Sequence, residues 1–407
     1  MAPRSRVART MPRMVITVAV LALVAACGGS SKPAAEAPST TAANPQTSPA
    51  STPASPAGPE SSPAGAGSSP AATQSLTPTT TDMDALVAAA KKEGSVLLYT
   101  TTAADKIASW IQPFEDKYGI SVKYYRAASN ALFSKFSQEE TAGKHLADLV
   151  GLSVPTEIND AISKGWTQKY IPQGANAFPP EFVVQNTAYP LYLIAHGFGW
   201  NTTEVTPDQA KALTDDGYQA LLDPSLKGKI ALVGPVGGGQ EAAYWDIVNN
   251  PNLGWDYLQK LAAQNPVIIS SAITMTTGLT SGEYAVGFPS SDTSIWPAVQ
   301  KGAPLEFAYS NPSVTSEEQV FISSQAPHPN AAKLFLEWTT SLEGQTELGD
   351  ASSGVMARTD WVDNREITKQ PWYKAPVKLD NSWATDPKFI AGIDDVVKQW
   401  NKVFGQS

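Results

Sequence analysis

Short apolar runs alternate along the chain with stretches in which apolar residues recur every three or four positions. Ser95 to Thr100, SVLLYT, is a run of strand length. After it, Ile107, Trp110, Ile111 and Phe114 fall at helical spacing from about Asp105 to a terminating Gly119, and Pro113 is predicted to kink that helix or shift its boundary. ISVKYY supplies a second strand, Ala131 to Thr141 sets Leu132, Phe133 and Phe136 on one helical face, and Ala147 to Leu152 is a third strand. A helix precedes them all: Thr81 is placed to cap it, Asp84 suits its first turn, Lys91 and Lys92 its last, and Gly94 stops it. Strand, helix, strand, helix, strand with short links predicts a right-handed parallel α/β sheet.

A second α/β segment lies between Thr202 and Lys301. Ile230 to Val233 reads as a strand, Gly237, Gly238 and Gly239 as a turn, and the next residues as a helix carrying Tyr244 and Trp245. PVIIS is another strand, and the run from Tyr284 to Phe288 is the last, followed by a loop that opens with Pro289, Ser290 and Ser291. In open α/β sheets ligands bind where strands end. The loops so marked hold small hydroxyls and helix-capping residues: Thr101 and Thr102, Ser129 and Asn130, Ser153, and Ser290, Ser291 and Asp292.

Each candidate has a plainer reading beside it. The three glycines either present backbone N–H groups to an anion at a helix start or form a turn that needs permissive dihedrals. Tyr244 is a stacking surface or a core residue. Asp292 meets an amine or hydroxyl of a ligand, or caps the helix after it.

The N-terminal pattern is different. Arg4, Arg6, Arg9 and Arg13 precede an apolar run from Met14 to Val24 that is too short to span a membrane, and Val24-Ala25-Ala26-Cys27 follows. Residues 1–26 therefore read as a secretory signal. The motif resembles the bacterial lipobox, in which the cysteine is lipidated; the alternative is an ordinary signal with a chance cysteine. Cys27 is the chain's only cysteine, which rules out an intramolecular disulfide and a cysteine metal cluster. Residues 27–81 are almost wholly Ala, Pro, Ser, Thr and Gly and predict a disordered tether.

Charge and motif searches narrow the function. A formal net charge of −9 argues against nucleic acid as a partner. His145, His196 and His328 have no ligand-spaced partners and read as structural, and there is neither a Gly-x-Ser-x-Gly elbow nor a Walker loop. Glu139-Glu140, Asp215-Asp216 and Glu317-Glu318 read as solvated surface. No cofactor and no metal is called for.

AKKEGSVLLYTT, FEDKYGISVKYYRA, YPLYLIAHGFGWNT, LKGKIALVGP, SGEYAVGF and the stretch from KGAPLEFAYS to SLEGQ together resemble the extracellular solute-binding proteins of ABC importers, nearest the ferric-iron-type group. The order of these segments covers nearly all of the chain after the tether. The resemblance implies a two-lobed periplasmic-binding-protein fold of type II, α/β in each lobe, with a ligand cleft between lobes that close about crossing strands. It divides the chain into lobe 1 at 82–190, lobe 2 at 191–309, and a return to lobe 1 with C-terminal helices at 310–407. In the iron-binding members adjacent tyrosines follow the GE-x-A-x-G strand; here Ser290 and Ser291 stand there, and hard Fe³⁺ lacks its anionic oxygens. The implied function is a monomeric receptor, anchored through Cys27 to the outer face of the membrane. It binds a small oxyanion such as a phosphonate, phosphate ester or carboxylate and passes it to an importer permease. A ferric receptor using other oxygens, an anchored enzyme and a sensor stay open as alternatives.

Overall fold

Two long strands organise the fold in the computed structural model, which describes residues 76–406. In chain order the strands are β1 (Ser95–Thr100), β2 (Ser121–Arg126), β3 (Leu149–Leu152), β4 (Thr167–Gln168), β5 (Tyr189–Asn201), β6 (Ile230–Val233), β7 (Val267–Ile269), β8 (Val286–Ser291), β9 (Leu305–Tyr309), β10 (Ser313–Ser323) and β11 (Leu379–Asp380). The helices are α1 (Met83–Glu93), α2 (Ala104–Tyr118), α3 (Ser129–Thr141), α4 (Pro155–Ser163), α5 (Pro207–Ala220), α6 (Gly239–Asn249), α7 (Gly254–Ala263), α8 (Ala272–Ser281), α9 (Asp292–Val299), α10 (Pro329–Thr340), α11 (Leu342–Ser352) and α12 (Pro387–Val403).

The strands follow the order β2-β1-β3-β10-β5-β8-β6-β7. β1 is parallel to β2 and β3, and β6 is parallel to β7 and β8. β10 and β5 join these two parallel sets and are antiparallel to their neighbours in this order, while β11 adds to β10 in parallel. Residues 189–195 of β5 pair with β10, whereas residues 196–201 pair with β8 and β9. β5 thus passes from one half of the fold to the other.

Strand periodicity explains the cores of the first half. Val96 and Leu98 of β1 enter one cluster with Trp110, Phe114, Phe335 and Trp338, while Leu97 and Tyr99 point the opposite way, towards Phe136, Val150 and Phe321. The sheet is covered on both faces. In the second half Phe198, Leu232, Tyr244, Phe288 and Trp400 pack as a separate cluster. Trp400 belongs to α12, so the last helix packs with the second core.

Several boundaries depart from the sequence reading. Asp82, not Thr81, caps α1, its Oδ1 accepting from the N–H groups of Asp84 and Ala85 at 3.1 Å each. The Thr81 hydroxyl instead meets the Tyr170 hydroxyl at 3.0 Å. Residues 76–81 are tied to the domain: Leu76 exchanges hydrogen bonds with the Asn176 side chain, and the Thr79 N–H donates to the Ile171 carbonyl at 2.8 Å. Residues 76–81, expected in the tether, are thus hydrogen-bonded to the domain. α2 runs through Pro113 without a break, because only one amide hydrogen is lost in a helix whose face buries Ile107, Trp110, Ile111 and Phe114. β8 extends to Ser291, so the two serines end a strand rather than open a loop.

Among the described residues no helix is long and apolar enough to cross a membrane. The Cys27 motif and the rest of the tether lie outside the described residues.

Candidate functional site

The loops at the C-terminal ends of β1, β2 and β3 lie side by side because those strands are parallel. A row of hydrogen bonds joins them. The Thr101 and Ser153 hydroxyls lie 2.8 Å apart, the Ser153 N–H donates to the Ser129 hydroxyl at 3.0 Å, and that hydroxyl donates to Glu157 at 2.6 Å. Asn130 sits beside them, exposed, as the second residue of α3. Three loops chosen separately from the sequence thus meet in one place.

A residue read as surface holds the centre of this row. Glu318 is buried in β10, and its carboxylate accepts from the Thr100 hydroxyl (2.5 Å), the Thr101 N–H (3.0 Å), the Thr101 hydroxyl (2.7 Å) and the Thr102 hydroxyl (2.6 Å). Gly151 makes room for it, since a Cβ there would lie 2.2 Å from Glu318 Oε1. Glu317 is buried too, so the reading of this acidic pair as solvated surface is corrected. Buried carboxylates are stable where donors surround them, and the donors here come from a strand more than two hundred residues earlier in the chain. The Thr101 and Thr102 hydroxyls expected to face a ligand already donate to Glu318.

The second half contributes two helix starts. Gly237 (φ 122) and Gly238 (φ 55) adopt backbone conformations that side chains resist, and they turn the chain from β6 into α6. Gly239 begins α6 directly against the crossing strands: a Cβ there would lie 2.1 Å from His196 Nε2 and 2.8 Å from Ser316 Oγ. His196 is buried in β5, and that burial holds its pKa down at about 4, so it is neutral. Tyr244, further along α6, is fully buried, with its hydroxyl on the Val233 carbonyl at 2.8 Å and its ring against Phe288 and Trp400. It fills the core rather than lining a cleft.

At the other helix start Ser290 pairs with Gly197 and Ser291 with His196 in the sheet. The Ser290 hydroxyl is buried without a partner, and that of Ser291 meets Thr293 and Ser294 at 3.0 and 3.1 Å. Asp292 is the first residue of α9, not its cap. Its carboxylate accepts from the Thr293 N–H at 2.8 Å, the Tyr309 hydroxyl at 2.7 Å and Arg365 Nη1 at 2.8 Å. Burial works against the charge of Arg365, but its hydrogen bonds to Asp363 and the nearby Asp292 more than restore it. Arg365 was invisible to sequence reasoning: it stands in an unpatterned segment, 73 residues from the carboxylate it pairs with.

Lys106, in the first turn of α2, is half-buried and donates to the Ser352 carbonyl at 2.9 Å. Burial lowers its pKa, and the attraction of Asp292 partly offsets this, so first-half and second-half charges interact across the fold. Among the described residues no group of three or more His, Cys, Asp or Glu is placed to hold a metal ion.

Residues 109–375 match the family described as bacterial extracellular solute-binding protein, about two-thirds of the chain. A search of curated protein sequences returned no match. Among solved structures, iron-bound HitA from Pseudomonas aeruginosa aligns at 19% identity, covering 76% of this chain and 99% of that one, with a TM-score of 0.58. AfuA from Actinobacillus pleuropneumoniae, a periplasmic binding protein with fructose-6-phosphate bound, aligns at 19% identity over 77% of this chain and 100% of its own, TM-score 0.58. The substrate-binding protein of an ABC transporter from Agrobacterium tumefaciens aligns at 17% identity over 76% and 94%, TM-score 0.60. These likenesses establish a periplasmic-binding-protein fold.

Proposed function

The chain belongs to the family of bacterial extracellular solute-binding proteins, and from that premise we propose that it is a lipid-anchored receptor capturing a small organic solute for the permease of an ABC importer. Membership implies an extracytoplasmic protein that binds a small molecule and works with such a permease. The anchor at Cys27, the lobes divided near residues 190 and 310, and closure about β5 and β10 are parts of this proposal. So is the role of receptor rather than enzyme or sensor.

One observation carries the reading: Thr101, Ser153 and Ser129 form a single hydrogen-bonded row at the strand ends of the first half. Across the crossing strands stands the start of α6, which offers backbone N–H groups to a polar solute, whereas the Thr293 N–H at the start of α9 is taken by Asp292. An oxyanion is favoured now by the glycine turn at α6 alone, because the threonine hydroxyls serve Glu318. The fructose-6-phosphate bound to AfuA shows that this fold houses a phosphorylated solute in that protein.

Hydrogen exchange of the full-length protein, as purified and after removal of bound solute by unfolding and refolding, tests the reading. Protection should fall together at residues 101–103, 127–130, 237–240 and 290–294. Loss confined to one half, or no loss while a solute is shown to leave, would overturn capture between the halves.

A further inference from the structure

We propose that residues 361–372 are a strap that fastens the two halves to each other, with Arg365 as its latch between α11 of the first half and α9 of the second. This deepens the receptor reading and rests on its claim that the halves move against each other.

The chain crosses between the halves again after β5 and β10 have done so. Beyond α11 it is still on the first half: Met356 enters the first core, and Trp361 packs with that core and lies against Gly349 of α11. By Trp372 it has changed sides. That ring packs with the second-half cluster of Val233, Leu305 and Phe307, and the next residue, Tyr373, sets its ring edge-on to Tyr309 with centroids 6.2 Å apart. Between Thr359 and Lys374 only Arg365 and Ile367 are buried. The strap thus runs over the surface and sends a charged side chain inward.

Arg365 is held from both sides. Its Nη1 donates to the Ser353 carbonyl, at the end of α11, and to Asp292 Oδ2 at 2.8 Å, at the start of α9. Nε and Nη2 donate to the two oxygens of Asp363 at 2.8 and 2.7 Å, and Nη2 also lies 3.4 Å from the hydroxyls of Tyr309 and Tyr373. All five N–H groups that a guanidinium carries are therefore used. From the first half Lys106 takes the neighbouring Ser352 carbonyl at 2.9 Å, so two cations meet the negative end of α11.

Asp292 is 0% exposed, and its other partners, the Thr293 N–H and the Tyr309 hydroxyl, are neutral groups of the second half. Burial pushes its carboxyl up, and the Arg365 charge is the foremost influence drawing it back. An exposed ion pair contributes little, but removing one partner of a buried pair leaves the other charge without its counterion. Separating the halves breaks either this pair or the bond to Ser353. A bond made only while the halves are together favours that arrangement whatever solute lies between them.

The test is electron–electron distance measurement on the full-length chain carrying Cys27→Ser, Asp116→Cys and Lys260→Cys, which confines spin labels to exposed positions on α2 and α7. Bound solute is first removed by unfolding and refolding. Adding Arg365→Gln or Asp292→Asn should raise the population of longer distances at least tenfold over the labelled parent, with circular dichroism confirming the fold. Arg365→Lys keeps the charge without the full set of bonds and should fall between. A pair that only stabilises the fold would lower the melting temperature and leave the distances where they are, so unchanged distances in the folded variants would overturn the latch. Asp292→Asn keeps the shape that meets Thr293 and Tyr309, which preserves the test should Arg365→Gln not fold. Longer distances in the variants, with no exchange difference when a solute is shown to leave, would uphold the latch and count against capture between the halves. Unchanged distances with the exchange response intact would do the reverse.

Discussion

Replacing Glu318 by alanine should be among the most damaging single changes in the fold, because it removes the acceptor for four donors at once. Thr100 and Thr102 are fully buried and cannot turn to water. Each buried donor left unsatisfied costs about 1–3 kcal/mol, while the Thr101 hydroxyl keeps Ser153 as an alternative partner. Removing a buried carboxylate also relieves its desolvation, so the terms do not simply add. The net expected loss is roughly 3–6 kcal/mol, with a fall in melting temperature of roughly 4–9 °C for a domain of this size. Glu318→Gln keeps the shape and one acceptor for the Thr101 N–H, and its amide can donate to hydroxyls that reorient. It should cost about a third as much. Calorimetric melts of the full-length protein read both variants, and a cycle with Thr102→Ala isolates their coupling. An alanine variant within about 1 kcal/mol of wild type, or no coupling to Thr102, would refute the claim that this carboxylate anchors the loop after β1.

Other expectations follow from single contacts. Gly239→Ala drives a methyl group into the imidazole of His196, 2.1 Å from Nε2, and should destabilise by about 1–3 kcal/mol in denaturant titrations. His196 has a folded pKa of about 4 against an ordinary 6.5, so its contribution is fully present above pH 6.5 and is lost as pH falls through 4. That loss is at most about 3 kcal/mol, and His196→Gln should remove it from a stability profile measured over this range. Cys27→Ser should abolish membrane attachment in cell fractionation; unchanged attachment would refute the lipid anchor.

Much of the fold was legible because its signals are local. β1, β2 and β3 and the helices between them follow from apolar spacing within ten or fifteen residues, and Gly94 and Gly119 end helices where a left-handed residue is needed. The site was legible only by its loops. Thr101, Ser129 and Ser153 were selected because strand ends in a parallel sheet share an edge, and the sheet does bring them together. What escaped depends on pairs far apart in the chain. Glu317 and Glu318 look like any acidic pair until β10 carries them between β3 and β5, and Thr100 meets Glu318 across 218 residues. Ser290 and Ser291 were misplaced for a related reason: pairing with Gly197 and His196 prolongs β8 past Pro289, which local turn chemistry does not reveal.

Native mass spectrometry of the full-length protein, released gently from the membrane without added ligand, tests the central claim most directly. The account predicts one retained organic solute of small mass, released on unfolding. Retention of iron instead, or of nothing under conditions in which the fold is intact and the solute is supplied, would contradict it.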